Sequence, residues 1–303
     1  MLRIGILGLS DGNGHPYSWS SIFNGYDPKA MADCPFPSIP RYLAERRFPD
    51  DAIPGAQVTH VWTQDPAVSH HIARACLIPE IAYEPTDMLG RVDAVLLARD
   101  DAENHRAFAA PFLRHGLPIY VDKPLAITDA DRRALLDLQV REGQVFTCSA
   151  LRYAAELQIS PEEHQAIGRI TLVQGVTPKS WERYAVHLID PVIAQLGVQG
   201  EIVWSAVVPR GSTRLVRLEW ASGLRASFDA VGDRCAAPIS LRFIGEKGFA
   251  EKTFEDSFMC FRRALETFVA GVRAGGSLHD DTIDAAVVKV IEAGLVQGAG
   301  VEP

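Results

Sequence analysis

The stretch Leu117-Pro-Ile-Tyr-Val-Asp-Lys-Pro-Leu-Ala126 decides how the chain folds. Its apolar run has the character of a buried parallel strand. The run stops at Lys123-Pro124 because proline lacks a ladder donor and its ring holds the residue before it extended. Lys123 therefore carries its ammonium at the carboxyl end of a strand, the edge along which open α/β sheets bind their ligands. On its own such a lysine also reads as a solvated strand end, so its meaning rests on what surrounds it.

Upstream of that strand, short β-branched runs at 2–7, 57–63 and 92–98 are followed by helical patterns, among them 66–75 and 105–114. The alternation predicts an α/β chain whose N-terminal Rossmann-type domain has a parallel sheet with right-handed crossovers. Downstream, a polar-periodic helix over 129–142, capped by Thr128, precedes a change of texture. Longer strands at 144–150, 170–176, 201–208, 213–220, 224–231 and 239–244 are joined by Gly- and Pro-containing turns, and helices over 259–274 and 281–295 close the chain. This pattern predicts an α+β domain with a large, mainly antiparallel open sheet. The expected division is 1–123 for dinucleotide binding and 124–303 for substrate and oligomerisation, with the last helices free to pack back on the first domain. The Pro-rich passage 27–55 reads as a long irregular insertion, of a length usually tied to function.

Composition narrows the partners. With 303 residues and 47% hydrophobic content the chain can bury two cores. Its 38 acidic against 30 basic residues and formal charge of -8 lack the basic field that nucleic acid or an anionic membrane requires. The five cysteines form no CxxC and are odd in number, which predicts reduced thiols, no zinc site and no other metal. Met1 leads directly into a strand, and no apolar run approaches the ~20 residues of a membrane span. A soluble, cytoplasmic protein is the expectation.

After the first strand comes Gly8-Leu9-Ser10-Asp11-Gly12-Asn13-Gly14-His15 and then a helical segment. Glycines here let the backbone approach a pyrophosphate while the helix N-terminus supplies amides and partial positive charge. Ser10 stands where the second fingerprint glycine would be, and without a ligand the segment is also a plain tight turn. Gly8, Ser10, Asp11, Gly12 and Asn13 are the candidate phosphate residues. At the end of the second strand, Thr63 occupies the place of the usual ribose acid, with Gln64 and Asp65 following. Asp65 reaches the ribose from two residues on, or the site tolerates a 2′-phosphate, so NAD and NADP both remain open. Further along, residues 180–191 read as one short helix on which Arg183, His187 and Asp190 share a face. A histidine there, taken alone, is more often structural than catalytic.

Taken together, the Gly-rich first turn, Val121-Asp-Lys-Pro-Leu-Ala126, Ala150-Leu-Arg-Tyr-Ala154, Ile167-Gly-Arg-Ile170 and Val186-His-Leu-Ile-Asp190 resemble the Gfo/Idh/MocA family of sugar oxidoreductases, in the right order along nearly the whole chain. The resemblance implies an NAD(P)-dependent hydride transfer at a secondary alcohol or ketone of a sugar, sugar acid or nucleotide sugar. It places Asp122 and Lys123 beside the nicotinamide, makes Lys123 the donor to the reacting oxygen and His187 the proton shuttle, and leaves Arg152, Tyr153 and Asp190 as candidates for the substrate. A histidine with a reference pKa of ~6.5 can take such a proton at neutral pH. The family's Thr-Pro-Asn and histidine region corresponds to Ala98, Arg99, Asp100 and Asp101 with His105, of which only His105 matches, so charge is expected beside the cofactor. The usual aspartate four residues before the histidine is Arg183 here. Either Asp190 or Glu182 compensates for it, or the chemistry is altered; the guanidinium itself reads as a grip on a substrate carboxylate or phosphate, or as an outward arginine covering surface. The competing reading is a non-catalytic ligand-binding or scaffold relative with a degenerate cofactor site. An open sheet covered on one face further implies a homodimer or homotetramer. The enzyme reading requires Lys123 and His187 to serve one oxygen.

Overall fold

A computed structural model describes residues 1–276 and 280–296, so residues 277–279, and 297–303 of the second expected domain, lie outside the described residues. The chain forms two compact units. The first comprises Met1–Leu125, Arg133–Thr147 and Ser257–His279; the second comprises Ala126–Arg132, Cys148–Asp256 and Asp280–Pro303. The chain therefore passes between units more than once, in place of a single junction after Lys123.

The first unit is built on β1 (Leu2–Leu7), β2 (Ala56–Trp62), β3 (Glu80–Ile81), β4 (Ala94–Leu97), β5 (Ile119–Val121) and β6 (Val145–Phe146). They pair in the order β3-β2-β1-β4-β5-β6, every pair parallel. Helices α1 (His15–Asn24), α4 (Pro66–Ala75) and α5 (Ala102–Arg114) follow β1, β2 and β4. β4 and β5 are buried at every residue, as a central parallel strand flanked by helices must be. Strand order reverses between β1 and β4, so a ligand crevice is expected beyond the carboxyl ends of these two.

The Pro-rich insertion is not irregular as expected: it holds two short helices, α2 (Pro28–Met31) and α3 (Ser38–Ala44). Asp27 starts α2 by accepting from the amides of Lys29 and Ala30, with Pro28 at the first helical position where no donor is needed. Tyr42 donates to the Ser18 hydroxyl of α1 at 2.5 Å. Its ring, and that of Phe48, meet Phe258 of the helix Ser257–Arg273 edge-on. The insertion also explains Gly14: a Cβ there would lie 2.6 Å from Ile39 and 2.7 Å from Phe36.

Helix α6 (Asp129–Leu136), whose residues from Arg133 on belong to the first unit, starts with Thr128 accepting from the Asp131 amide, as expected, but ends six residues before the predicted 142. The predicted strand 144–150 shortens to β6, and the chain turns at Ser149 into a 3-10 turn, Ala150–Tyr153, followed by a second, Ala155–Leu157. In the second unit α7 (Pro161–Ile167) leads into β7 (Ile170–Thr177). The predicted helix 180–191 is two: α8 (Trp181–Tyr184) and α9 (Val186–Leu196), parted at Ala185. β8 (Ile202–Arg210), β9 (Thr213–Trp220), β10 (Arg225–Ala230), β11 (Ser240–Gly245) and β12 (Phe249–Thr253) complete a sheet of order β12-β11-β7-β10-β9-β8. All its pairs are antiparallel except β7 with β10. Alternate residues, among them Val216, Leu218, Phe228 and Phe243, form one core with α9 and with the final helix Asp281–Ala293. Each such side chain contributes about 1.5–3 kcal/mol by leaving water. The intervening helix Ser257–Arg273 is α10, and the last is α11.

Candidate functional site

In the first unit, β5 delivers Asp122 and Lys123 to the carboxyl edge of the sheet, and the Lys123–Pro124 peptide bond is cis. The Asp122 amide continues the ladder to the Leu97 carbonyl. Its buried carboxylate accepts from Asn13 Nδ2 at 2.9 Å and from the Lys123 amide at 2.8 Å, and it lies 2.5 Å from His15 Nδ1. The His15 ring stacks on Trp19 at 4.8 Å between centroids. Lys123 is only 5% exposed, with Nζ 3.4 Å from Asp100 Oδ2. Its place at the edge is thus that of a buried, carboxylate-held ammonium and not of a solvated strand end.

Residues 99–101 tie the end of β4 to the turn after β1. The Ser10 hydroxyl donates to Asp100 Oδ1 and accepts from the Asp100 amide. Arg99 binds Asp101 through Nε at 2.9 Å and Nη2 at 2.6 Å, and its Nη1 reaches the Leu9 carbonyl and Gln64 Oε1. Burial is the strongest influence on Asp101 and pushes its carboxyl up, yet the hydrogen bonds from Arg99 and Asn104 leave it below the usual carboxylate range. The charge expected beside the cofactor is therefore paired within the protein. His105 is fully buried, with its two ring nitrogens against the carbonyls of Arg99 and Leu125. It holds the loop to the sheet and, like buried Ala98, presents no group to a ligand.

At the end of β2, the Thr63 hydroxyl donates to the Asp65 carbonyl and lies 2.8 Å from the Ser69 hydroxyl. Gln64 fastens both the amide and the carbonyl of Leu9. The Asp65 carboxylate caps α4 by accepting from the Ala67 amide. All three candidate ribose residues thus serve the fold itself. The turn itself leaves room for a dinucleotide at Gly12, which has φ +74 and no atom within 4 Å of where a Cβ would be. The start of α1 is not the free set of amides expected from the sequence: Asn13 Oδ1 accepts from the His15 amide at 2.8 Å, Pro16 has no N–H, and the amides of Tyr17 and Ser18 bond the Gly14 carbonyl.

In the second unit the candidates gather around α9. The buried Ser149 hydroxyl bonds His187 Nδ1 at 2.8 Å and accepts from the Leu151 amide, so the start of the 3-10 turn orients the imidazole. The edge of the His187 ring meets Tyr184, centroids 5.0 Å apart. The Asp190 carboxylate accepts from the Ser149 amide at 2.7 Å and from Arg152 Nε and Nη2 at 2.6 and 3.0 Å, and Arg152 also reaches Asp284 at 3.4 Å. Burial works against the Arg152 charge and Asp190 more than restores it, so its pKa is raised. Burial lifts the Asp284 carboxyl well above the usual range against the pull of Arg152. Arg152 and Asp190, expected at the substrate, are thus bound to one another beneath Ser149. Glu182 pairs with Arg214. Arg183 lies half-buried on α8, off the helix that carries His187, and Tyr153, also half-buried, ends the 3-10 turn. Ser149 was not singled out by the sequence, because a serine after a short strand carries no local signal for a partner on α9.

Among the described residues no cluster of three or more His, Cys, Asp or Glu side chains is placed to hold a metal, and no helix is long and apolar enough to cross a membrane. The fold so defined is a Rossmann-type unit joined to an α+β unit with an open sheet. Residues 43–149 match the Gfo/Idh/MocA model, described as an oxidoreductase family with an NAD-binding Rossmann fold. No curated protein matches the sequence. Solved structures do. Myo-inositol 2-dehydrogenase from Lactobacillus plantarum is similar with a TM-score of 0.71 and 13% identity, over 97% of this chain and 96% of that one. Myo-inositol dehydrogenase from Lactobacillus casei, in complex with NAD(H) and myo-inositol, gives 0.71 and 14% over 97% and 93%. UDP-N-acetylglucosamine 3-dehydrogenase from Acidithiobacillus ferrooxidans gives 0.68 and 12% over 96% and 95%. The chain thus carries the Gfo/Idh/MocA oxidoreductase family's signature over residues 43–149 and has the two-domain fold of that family almost end to end.

Proposed function

We propose that the protein is an NAD(P)-dependent oxidoreductase acting on a secondary alcohol or ketone of a polyol, sugar, sugar acid or nucleotide sugar. The observation that carries the reading is Lys123, an ammonium buried at the carboxyl edge of the parallel sheet and held there by Asp100. The nicotinamide, when bound, supplies the hydride acceptor or donor. Lys123 donates a hydrogen bond to the carbinol oxygen and favours its negative charge as the proton departs. His187 takes that proton, its ring held in one orientation by Ser149. The backbone of the turn Gly8, Asp11, Gly12 and Asn13 would hold the pyrophosphate, while the Ser10 side chain is turned onto Asp100. Thr63, Gln64 and Asp65 border the adenosine ribose, and Asp122 keeps the turn and Lys123 in register. No cation stands among residues 63–65 and the Asp65 carboxylate is exposed, which supports NAD over NADP. Arg183 receives a substrate carboxylate or phosphate where one is present. Exposed Trp204, Val208 and Phe249 on the edge strands of the second sheet support a homodimer or homotetramer, testable by sedimentation.

The test is fluorescence titration with NADH and NADPH followed by turnover with myo-inositol, a uronic acid and a nucleotide sugar. Binding of NADH and NAD-linked oxidation of at least one of these is expected. A second reading, a non-catalytic binding or scaffold relative, is favoured by the engagement of Thr63, Gln64 and Asp65 within the fold. Absence of binding by either nucleotide would select it.

A further inference from the structure

Two departures from the expected dinucleotide site meet at a single pair of side chains. Ser10 stands in the place of the second glycine, and Asp100 stands in the stretch where Thr-Pro-Asn is expected. Ser10 Oγ donates to Asp100 Oδ1 at 2.6 Å and accepts from the Asp100 amide at 3.0 Å, while Asp100 Oδ2 lies 3.4 Å from Lys123 Nζ. Serine, aspartate and lysine are each buried. A carboxylate so placed requires donors and a countercharge to remain ionised. Ser10 supplies a donor and Lys123 the countercharge. The serine side chain is turned onto Asp100, so its role is legible from its contacts and is not that of a damaged glycine.

We propose that Ser10 and Asp100 form one positioning device for Lys123, in which the serine fixes the carboxylate and the carboxylate fixes the ammonium. Its catalytic consequence rests on the dehydrogenase reading, whereas the clamp itself is a property of the chain alone. The sign of one substitution separates the clamp from decay of the nucleotide site. S10G restores the glycine of the fingerprint. If Ser10 were mere decay, S10G would tighten NADH binding and raise turnover. If Ser10 is part of the clamp, S10G and S10A both free Asp100 and loosen Lys123.

The first measurement uses the cofactor-free, full-length protein treated with limiting isotope-labelled acetic anhydride, and peptide mass spectrometry reads acetylation of Lys123 against exposed Lys289. Lys123 is expected to react several-fold faster in S10G, S10A and D100N than in the unaltered chain, with Lys289 unchanged. The second uses NADH titration and steady-state polyol oxidation. S10G and D100N are expected to lower kcat by about tenfold to a hundredfold, with the NADH dissociation constant nearly unchanged. The double variant S10G/D100N should be no slower than D100N, because the two act as a unit. Equal Lys123 acetylation in S10G and the unaltered chain, or a gain in kcat on S10G, overturns the proposal. If the unaltered protein binds neither nucleotide, the dehydrogenase reading falls and acetylation alone decides the clamp.

Discussion

Arg152 was expected at the substrate, and the structure instead makes it the countercharge of two buried carboxylates. Its guanidinium is bidentate on Asp190 and 3.4 Å from Asp284, with side-chain exposures of 13%, 2% and 5% for the three. Two charges about 4 Å apart attract by ~4 kcal/mol at an effective dielectric of about 20, from which the cost of burying both must be taken. Replacing the arginine is another matter, because Arg152→Met leaves the carboxylates buried together, a loss of about 3–5 kcal/mol. At roughly 2–4 °C per kcal/mol the second unit should melt some 6–20 °C lower. The Asp284 carboxyl, lifted by burial and by Asp190 and held down by Arg152, is raised well above its ordinary value of 3.8. A carboxyl raised on folding contributes stability that is full below its unfolded value and lost as pH rises through its folded one. Arg152→Met removes the opposing cation and lifts the Asp284 carboxyl further, so its deficit should widen as pH rises through the parent's raised Asp284 value. Asp284→Asn removes that slope, and Arg152→Met/Asp284→Asn should recover part of the loss at neutral pH. Urea denaturation at pH 5 and pH 8, followed by circular dichroism and tryptophan fluorescence, measures all four proteins. If Arg152→Met stayed within about 1 kcal/mol of the parent and only raised KM, the residue would be a substrate ligand and the reasoning would fail.

Ser149→Ala removes the bond to His187 Nδ1 and should lower kcat about tenfold while costing no more than about 1–2 kcal/mol; an unchanged kcat would remove Ser149 from the mechanism. Gly14→Ala places a Cβ 2.6 Å from Ile39 and should destabilise the first unit by about 1–3 kcal/mol in urea, with relief when Phe36 is shortened to alanine in the same chain. Asp65→Ala should cost about 1 kcal/mol through loss of the α4 cap. It should also improve NADPH binding relative to NADH by about twofold to fivefold in paired fluorescence titrations, and an unmoved ratio would show that Asp65 does not border the ribose.

What could be read from the sequence was local. The end of β5 at Lys123 was legible because an apolar run and a proline are adjacent in the chain. The parallel sheet was legible from strands separated by helical periods. The break between α8 and α9 was not, since 181–196 keeps one amphipathic pattern across Ala185 and nothing in side-chain periodicity marks it. In the insertion, the Asp27-Pro28 start signal of α2 was present in the sequence but masked by the surrounding prolines. The roles of Ser149 and Arg152 were out of reach for another reason: their partners lie 38 positions away at His187 and Asp190, and 132 away at Asp284. Residue type suggests a function for such side chains, whereas contact assigns it.

The residues that depart from the expected pattern are joined to one another. Asp100 alone at the end of β4 would be a buried acid facing a nucleotide; it is instead met by Ser10 and Lys123. Arg99 alone would be a buried cation, and Asp101 meets it. Gly14 gives up its side chain where Phe36 and Ile39 of the insertion press on the turn. The charged side chains of this edge are buried, so folding demands their pairing whether or not a ligand binds. One unpaired charge at such an edge would cost several kcal/mol, and the same pairing holds the Lys123 ammonium in place. Asp122 follows the same logic, its buried carboxylate taking donors from Asn13 and from the Lys123 amide with His15 against it. The pairing is common to an oxidoreductase and to a non-catalytic relative, and the direction of the Ser10→Gly effect on turnover is where the two part.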